Sequence, residues 1–125
     1  MKALFKGNIF FIAIGVTILI GVLSLIDLTG SAIIQVSHLD KLQHAFAYCV
    51  LALSWLLAIV TSNKKMKLKA IVALSCVIYG IVIEVLQTTI TSYRTASLLD
   101  ILANTVGIFI ALLIFNAIFK KFNAN

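Results

Sequence analysis

The sequence predicts an all-α, polytopic membrane protein with four transmembrane helices and both termini in the cytoplasm. Three observations predict it. Hydrophobic residues make up 62% of the 125 positions, more apolar surface than a soluble domain of this size hides. They gather in four runs, each close to the ~20 residues that cross ~30 Å of hydrocarbon. Lysines then mark alternate ends of those runs.

The first run extends from about Ile9 to Ile26. Lys2 and Lys6 precede it, as in a secretory leader. The run is longer than an ordinary leader core and no Ala-x-Ala pattern follows, so it reads as a helix. It carries Gly15 and Gly21 but no ionisable residue before Asp27, and it looks like scaffold. The second run extends from about Leu42 to Val60, opened by Asp40, Lys41 and His44. The third, from about Leu68 to Ile90, is interrupted by Glu84 and Gln87. The fourth, from about Leu98 to Phe119, is opened by Ser97, Asp100 and Asn104. The links are short, so residues 1–125 read as one four-helix domain.

Charge orients the runs. If the helices alternate, Lys2, Lys6, Lys64, Lys65, Lys67, Lys69, Lys120 and Lys121 share one side, and only Lys41 and Arg94 fall on the other. Cytoplasmic loops carry such an excess of lysine and arginine. The net charge of +6 is therefore topology and contact with anionic lipid, not a nucleic-acid footprint. Cys49 and Cys76 lie in apolar sequence without metal spacing or a Cys-x-x-Cys pattern, and read as small core residues. A disulfide between the second and third helices is the minor alternative.

The remaining polar residues fall in the outer half of the membrane. A carboxylate at mid-helix costs about 3 kcal/mol by insertion scales, so Glu84 must be neutral, paired or facing a wet cavity. Residues three or four apart share a helix face. Lys41, His44 and Tyr48 form one such stripe, with Asp40 one turn before His44. Cys76, Gly80, Glu84, Gln87 and Thr91 form a second, and Asp100, Asn104, Gly107 and Ala111 a third. Small residues permit close helix contact. Gly80 and Gly107 are thus expected to draw the third and fourth helices together, placing Glu84, Gln87, Asp100 and Asn104 between helices.

Structural roles account for part of this set. Asp100 and Ser97 suit a helix start, His44 suits a hydrogen bond to Asp40, and Glu84 suits pairing with Arg94, Lys41 or His44. The mixture of groups also suits chemistry. His44 changes charge near neutral pH, and Arg94 presents a fork that fits phosphate or carboxylate. Asp40, His44 and Glu84 are a conceivable ligand set, but their spacing demands no metal. No metal or cofactor is expected, and no serine or cysteine nucleophile is evident.

Three stretches carry a family resemblance. They are DKLQHAFAY from Asp40 to Tyr48, YGIVIEVLQ from Tyr79 to Gln87, and RTASLLDILANTVG from Arg94 to Gly107. Together they resemble the VanZ-like family of bacterial membrane proteins, named for a protein linked to teicoplanin resistance. The resemblance covers roughly Asp40 to Ala111. It implies recurrent roles for Asp40, Lys41, His44, Glu84, Gln87, Arg94, Ser97, Asp100 and Asn104. Tyr93 and Ala96 depart from the family, which often has glycine and an aromatic residue there; both lie in the outer loop. Resistance to a glycopeptide implies action at the envelope.

Three functions are weighed. In the first, these nine residues bind an anionic lipid, a lipid-linked envelope precursor or an amphiphile from outside the bacterial inner membrane, with a link to glycopeptide susceptibility. In the second, the protein is an enzyme acting on such a lipid by acid–base chemistry, with Glu84, His44 or Asp100 moving the proton. In the third, the layer only fixes helix packing in an assembly protein. A homo-oligomer is compatible with each.

Overall fold

Four long helices form the protein: α1 (Lys2–Leu25), α2 (Ser37–Ile59), α3 (Met66–Ile90) and α4 (Leu98–Asn123). The computed structural model describes residues 2–26, 37–61, 64–90 and 97–123. All four helices are long and apolar enough to cross a membrane, in agreement with the four runs. Their ends reach past those runs. Backbone hydrogen bonding does not stop where hydropathy falls, and α1 starts at Lys2 while α2 starts at Ser37.

Side-chain pairs fix the directions. Lys41 and His44 of α2 meet Asp100 and Asn104 of α4, so these two helices run parallel. Tyr79 and Gln87 of α3 meet Thr17 and Ser24 of α1, so these also run parallel. Lys69 near the start of α3 meets Asn116 near the end of α4, so that pair is antiparallel. The result is an up-down-up-down bundle. The first turns of α1 and the last of α4 lie at the same end as the α2–α3 link. Among the described residues α1 packs on α2 and α3 but not on α4.

The core is apolar in the half nearer the lysines: Leu51, Leu56, Val60, Val72, Ala111 and Phe115 are buried there. Large apolar side chains such as Phe11, Phe46, Ile71 and Leu98 point outward, as a hydrocarbon solvent allows. Exposed hydroxyls close on their own helix. Thr105 donates to the carbonyl of Ile101, and Thr89 to those of Val85 and Leu86. In lipid a polar group must find such an internal partner.

Lipid tails are as apolar as leucine, so helix association rests on close packing and polar contacts. The tightest approach is between α2 and α4. A methyl group on Gly107 would collide with the carbonyl oxygen of Ala45. This corrects the sequence expectation, in which Gly107 served contact with α3. Gly80 does serve α4, since a Cβ there would stand 2.9 Å from Asn104 Nδ2, but it also lies 3.1 Å from Tyr48 Cε1 of α2. Gly21 makes room for the Tyr79 hydroxyl, whereas a Cβ at Gly15 would meet nothing within 4 Å. Cys49 and Cys76 are free thiols, so no disulfide joins α2 to α3.

Gly107→Ala should destabilise the bundle by about 1–3 kcal/mol, the usual cost of overpacking. Gly15→Ala should be neutral or slightly stabilising, since only helix propensity changes. Thermal unfolding of the two variants in one detergent checks both.

Candidate functional site: a polar layer at one end of the bundle

Two rungs join α2 to α4. Lys41 Nζ lies 2.8 Å from Asp100 Oδ1. One turn deeper, His44 Nδ1 lies 3.1 Å from Asn104 Oδ1. Both rungs follow from the stripes: residues 41 and 44 share one face of α2, and 100 and 104 one face of α4. The Ala45–Gly107 contact just below brings the backbones close enough for these side chains to meet. Because Asn104 Oδ1 can only accept, it draws the imidazole proton to Nδ1. His44 Nε2 then faces Asp40 Oδ1 at 3.8 Å, beyond hydrogen-bond length. The expected hydrogen bond between His44 and Asp40 is therefore replaced by one to Asn104.

Glu84 lies on the facing side of α3 and is 1% exposed. Its Oε2 accepts from the backbone N–H of Ser97 at 3.3 Å. Ser97 is the cap residue of α4, since its carbonyl takes the first bonds, from Asp100 and Ile101. Helix starts carry unsatisfied N–H groups and a partial positive charge. A carboxylate on α3 thus meets the start of α4. Among the partners expected for Glu84, Lys41 and His44 make their bonds to α4 instead. Arg94 and the outer-loop positions Tyr93 and Ala96 lie outside the described residues.

Gln87 is buried, as expected, but its Nε2 donates to the carbonyl of Ser24 on α1 at 2.9 Å. Ser24 is in the last turn of α1, where carbonyls lack helical partners. The first helix, which carries no ionisable side chain there, joins the layer through its backbone. Ser97 enters through its own amide, and Asp100 through its carboxylate. Eight of the nine expected residues therefore sit at one end of the bundle, and the ninth, Arg94, is not described.

Exposure is graded through the layer. The side chain of Asp40 is 43% exposed and that of Lys41 33%. Asn104 beneath them is 2% exposed. Ligand atoms of Asp40, His44 and Asp100 lie within 4.8 Å of one another. They offer one nitrogen and two oxygen donors to a divalent ion, and the carboxylate joining Asp40 and His44 is Asp100 rather than Glu84. The ammonium of Lys41 already neutralises that carboxylate.

The family model described as VanZ/LLP1 matches residues 11–120. The chain belongs to the VanZ/LLP1 family. No curated protein and no solved structure matches it. The match takes in α1 beyond Phe11, so the VanZ/LLP1 unit is wider than the three motif stretches. Family membership makes the chain a multi-pass bacterial membrane protein related to the cell envelope.

Several polar residues escaped the sequence reading. Lys69, one of the lysines that share a side, is 5% exposed and donates to Asn116 Oδ1 at 2.9 Å. Its place seven residues before Cys76, on the same stripe, was the available signal. Thr17 links three helices: its hydroxyl accepts from Trp55 Nε1 at 2.9 Å, and its carbonyl from the Tyr79 hydroxyl at 2.6 Å. No spacing within one helix signals that contact. The Tyr48 hydroxyl is buried without a hydrogen-bond partner among the described residues.

Replacing Asn104 by Ala should cost about 1–3 kcal/mol, because His44 Nδ1 loses its buried acceptor. Adding His44→Leu to Asn104→Ala should cost less than the two single changes summed. A double-mutant cycle on thermal unfolding in detergent reads the coupling.

Proposed function

We propose that the polar layer is an outward-facing site for an anionic headgroup, carried by a membrane lipid, a lipid-linked envelope precursor or an amphiphile. The excess of lysine at the opposite end of the bundle supports a cytoplasmic position for that end, and so a layer that faces the outside or periplasm. The observation that carries the reading is the gradient of exposure. Asp40 and Lys41 stand partly open at the mouth, while Asn104 and Glu84 seal the floor. A network that served packing alone has no need of an open rim.

The roles follow from the geometry. An ammonium has three N–H donors, and the bond to Asp100 engages one of them. Lys41 is thus the group that meets an incoming phosphate or carboxylate, with Asp100 holding the amine in place. Arg94, in the link before α4, supplies the second permanent cation and a bidentate fork. His44, fixed through Nδ1 by Asn104, turns Nε2 toward the rim side of the layer, where Asp40 lies. Glu84 and Gln87 set the ends of α4 and α1 and so shape the floor. Tyr93 and Ala96, where the chain departs from its family, sit beside Arg94 in sequence and tune which headgroup is accepted.

Lipids co-purifying with the native protein, with Lys41→Gln and with Arg94→Gln should separate the cases by mass spectrometry. Both variants should retain helix content and lose most of the anionic lipid that the native protein carries. Identical lipid spectra for all three would remove the headgroup role.

A further inference from the structure

A second feature lies in the other half of the membrane span. A cavity of about 340 Å³ opens between α1, α2 and α3. Leu51, Trp55 and Ile59 of α2 form one wall, and Leu68, Val72 and Cys76 of α3 the other. At one end lies the Thr17 junction, where Trp55 and Tyr79 both bond to α1. Those bonds use the polar groups at that end, so the cavity offers mainly hydrocarbon. Water needs two to four polar partners and finds few here.

Length and charge identify the occupant. The wall from Leu68 to Tyr79 rises about 16 Å at 1.5 Å per residue, roughly half of a ~30 Å hydrocarbon core. That is the depth of one leaflet and therefore of one acyl chain. The end of the cavity at Ile59 and Leu68 adjoins Lys65 at the close of the α2–α3 link and Lys67 in the first turn of α3. Lys65 and Lys67 are exposed. Lysines at a membrane surface attract anionic lipid headgroups.

We propose that this cavity seats one acyl chain of an anionic phospholipid whose headgroup rests on Lys65 and Lys67. The site stands at the opposite end of the bundle from the polar layer and uses none of its residues. It commits to a lipid of the leaflet on the lysine side, held by its tail and by charge together. A neutral lipid fills the groove but gains nothing from the lysines.

Trp55 is the single tryptophan of the chain and it lines the cavity, so it reports on the occupant. The full chain is placed in phosphatidylcholine vesicles, with acyl-brominated phosphatidylglycerol or acyl-brominated phosphatidylcholine added over a range of mole fractions. Quenching of Trp55 should saturate at a lower fraction with the brominated phosphatidylglycerol. Neutralising Lys65 and Lys67 (Lys65→Gln, Lys67→Gln) should lower that preference by about fivefold per lysine at low salt. Ser75→Phe, which fills the cavity from α3, should reduce quenching by both lipids, and Lys41→Gln should leave it unchanged. Equal quenching by the two brominated lipids would overturn the proposal. So would a Trp55 quenched by neither, since protein, such as a second copy of the chain, would then cover the groove.

Discussion

The contact between Ala45 and Gly107 governs the polar end of this protein. Parallel helices come this close only where one carries no Cβ, and Gly107 is that position on α4. Short side chains above it then reach across. Asn104 is long enough to meet His44, and Asp100 to meet Lys41, because the backbones beneath them are already pressed together. Wider spacing would leave the same residues facing hydrocarbon, where an unpaired polar group costs several kcal/mol. The polar layer is thus a result of backbone packing as much as a cause of it.

Glu84 follows from the same arrangement. With α4 held against α2, the start of α4 lies over α3, and the Ser97 amide meets the carboxylate. An acid in the membrane is tolerated when it faces the bundle interior and finds a donor. Gln87 repeats the device one turn later, on the end of α1. Two side chains of α3 therefore attend to backbone groups of two other helices. This explains why the polar interruptions of the third hydrophobic run stand close together, three residues apart.

Much of this was legible in the sequence. Four apolar runs and alternating lysines set the helices and their directions. Three-and-four spacing placed Glu84, Gln87, Asp100 and Asn104 between helices. What was not legible was the choice of partners. Spacing shows which residues share a face of one helix, but not how two helices are rotated against each other. That rotation is decided by Ala45 and Gly107, which lie far apart in the chain and carry no chemistry. Hence His44 found Asn104 rather than Asp40, and Gly107 served α2 rather than α3. The burial of Lys69 was hidden for a different reason. A lysine counts toward topology whether it lies on the surface or turns inward, as Lys69 does to Asn116 of the next helix.

The attachment of α1 has a consequence for assembly. It touches the others through Thr17, Ser24 and a modest apolar seam, and only 6% of its apolar window is buried. Helices insert singly before they associate. Of these four helices α1 is made before its partners: Trp55 of α2 gives it a first hold, and Tyr79 and Gln87 of α3 add the rest. The place of α1 is therefore reached in two stages, first against α2 through Trp55 and then against α3 through Tyr79 and Gln87.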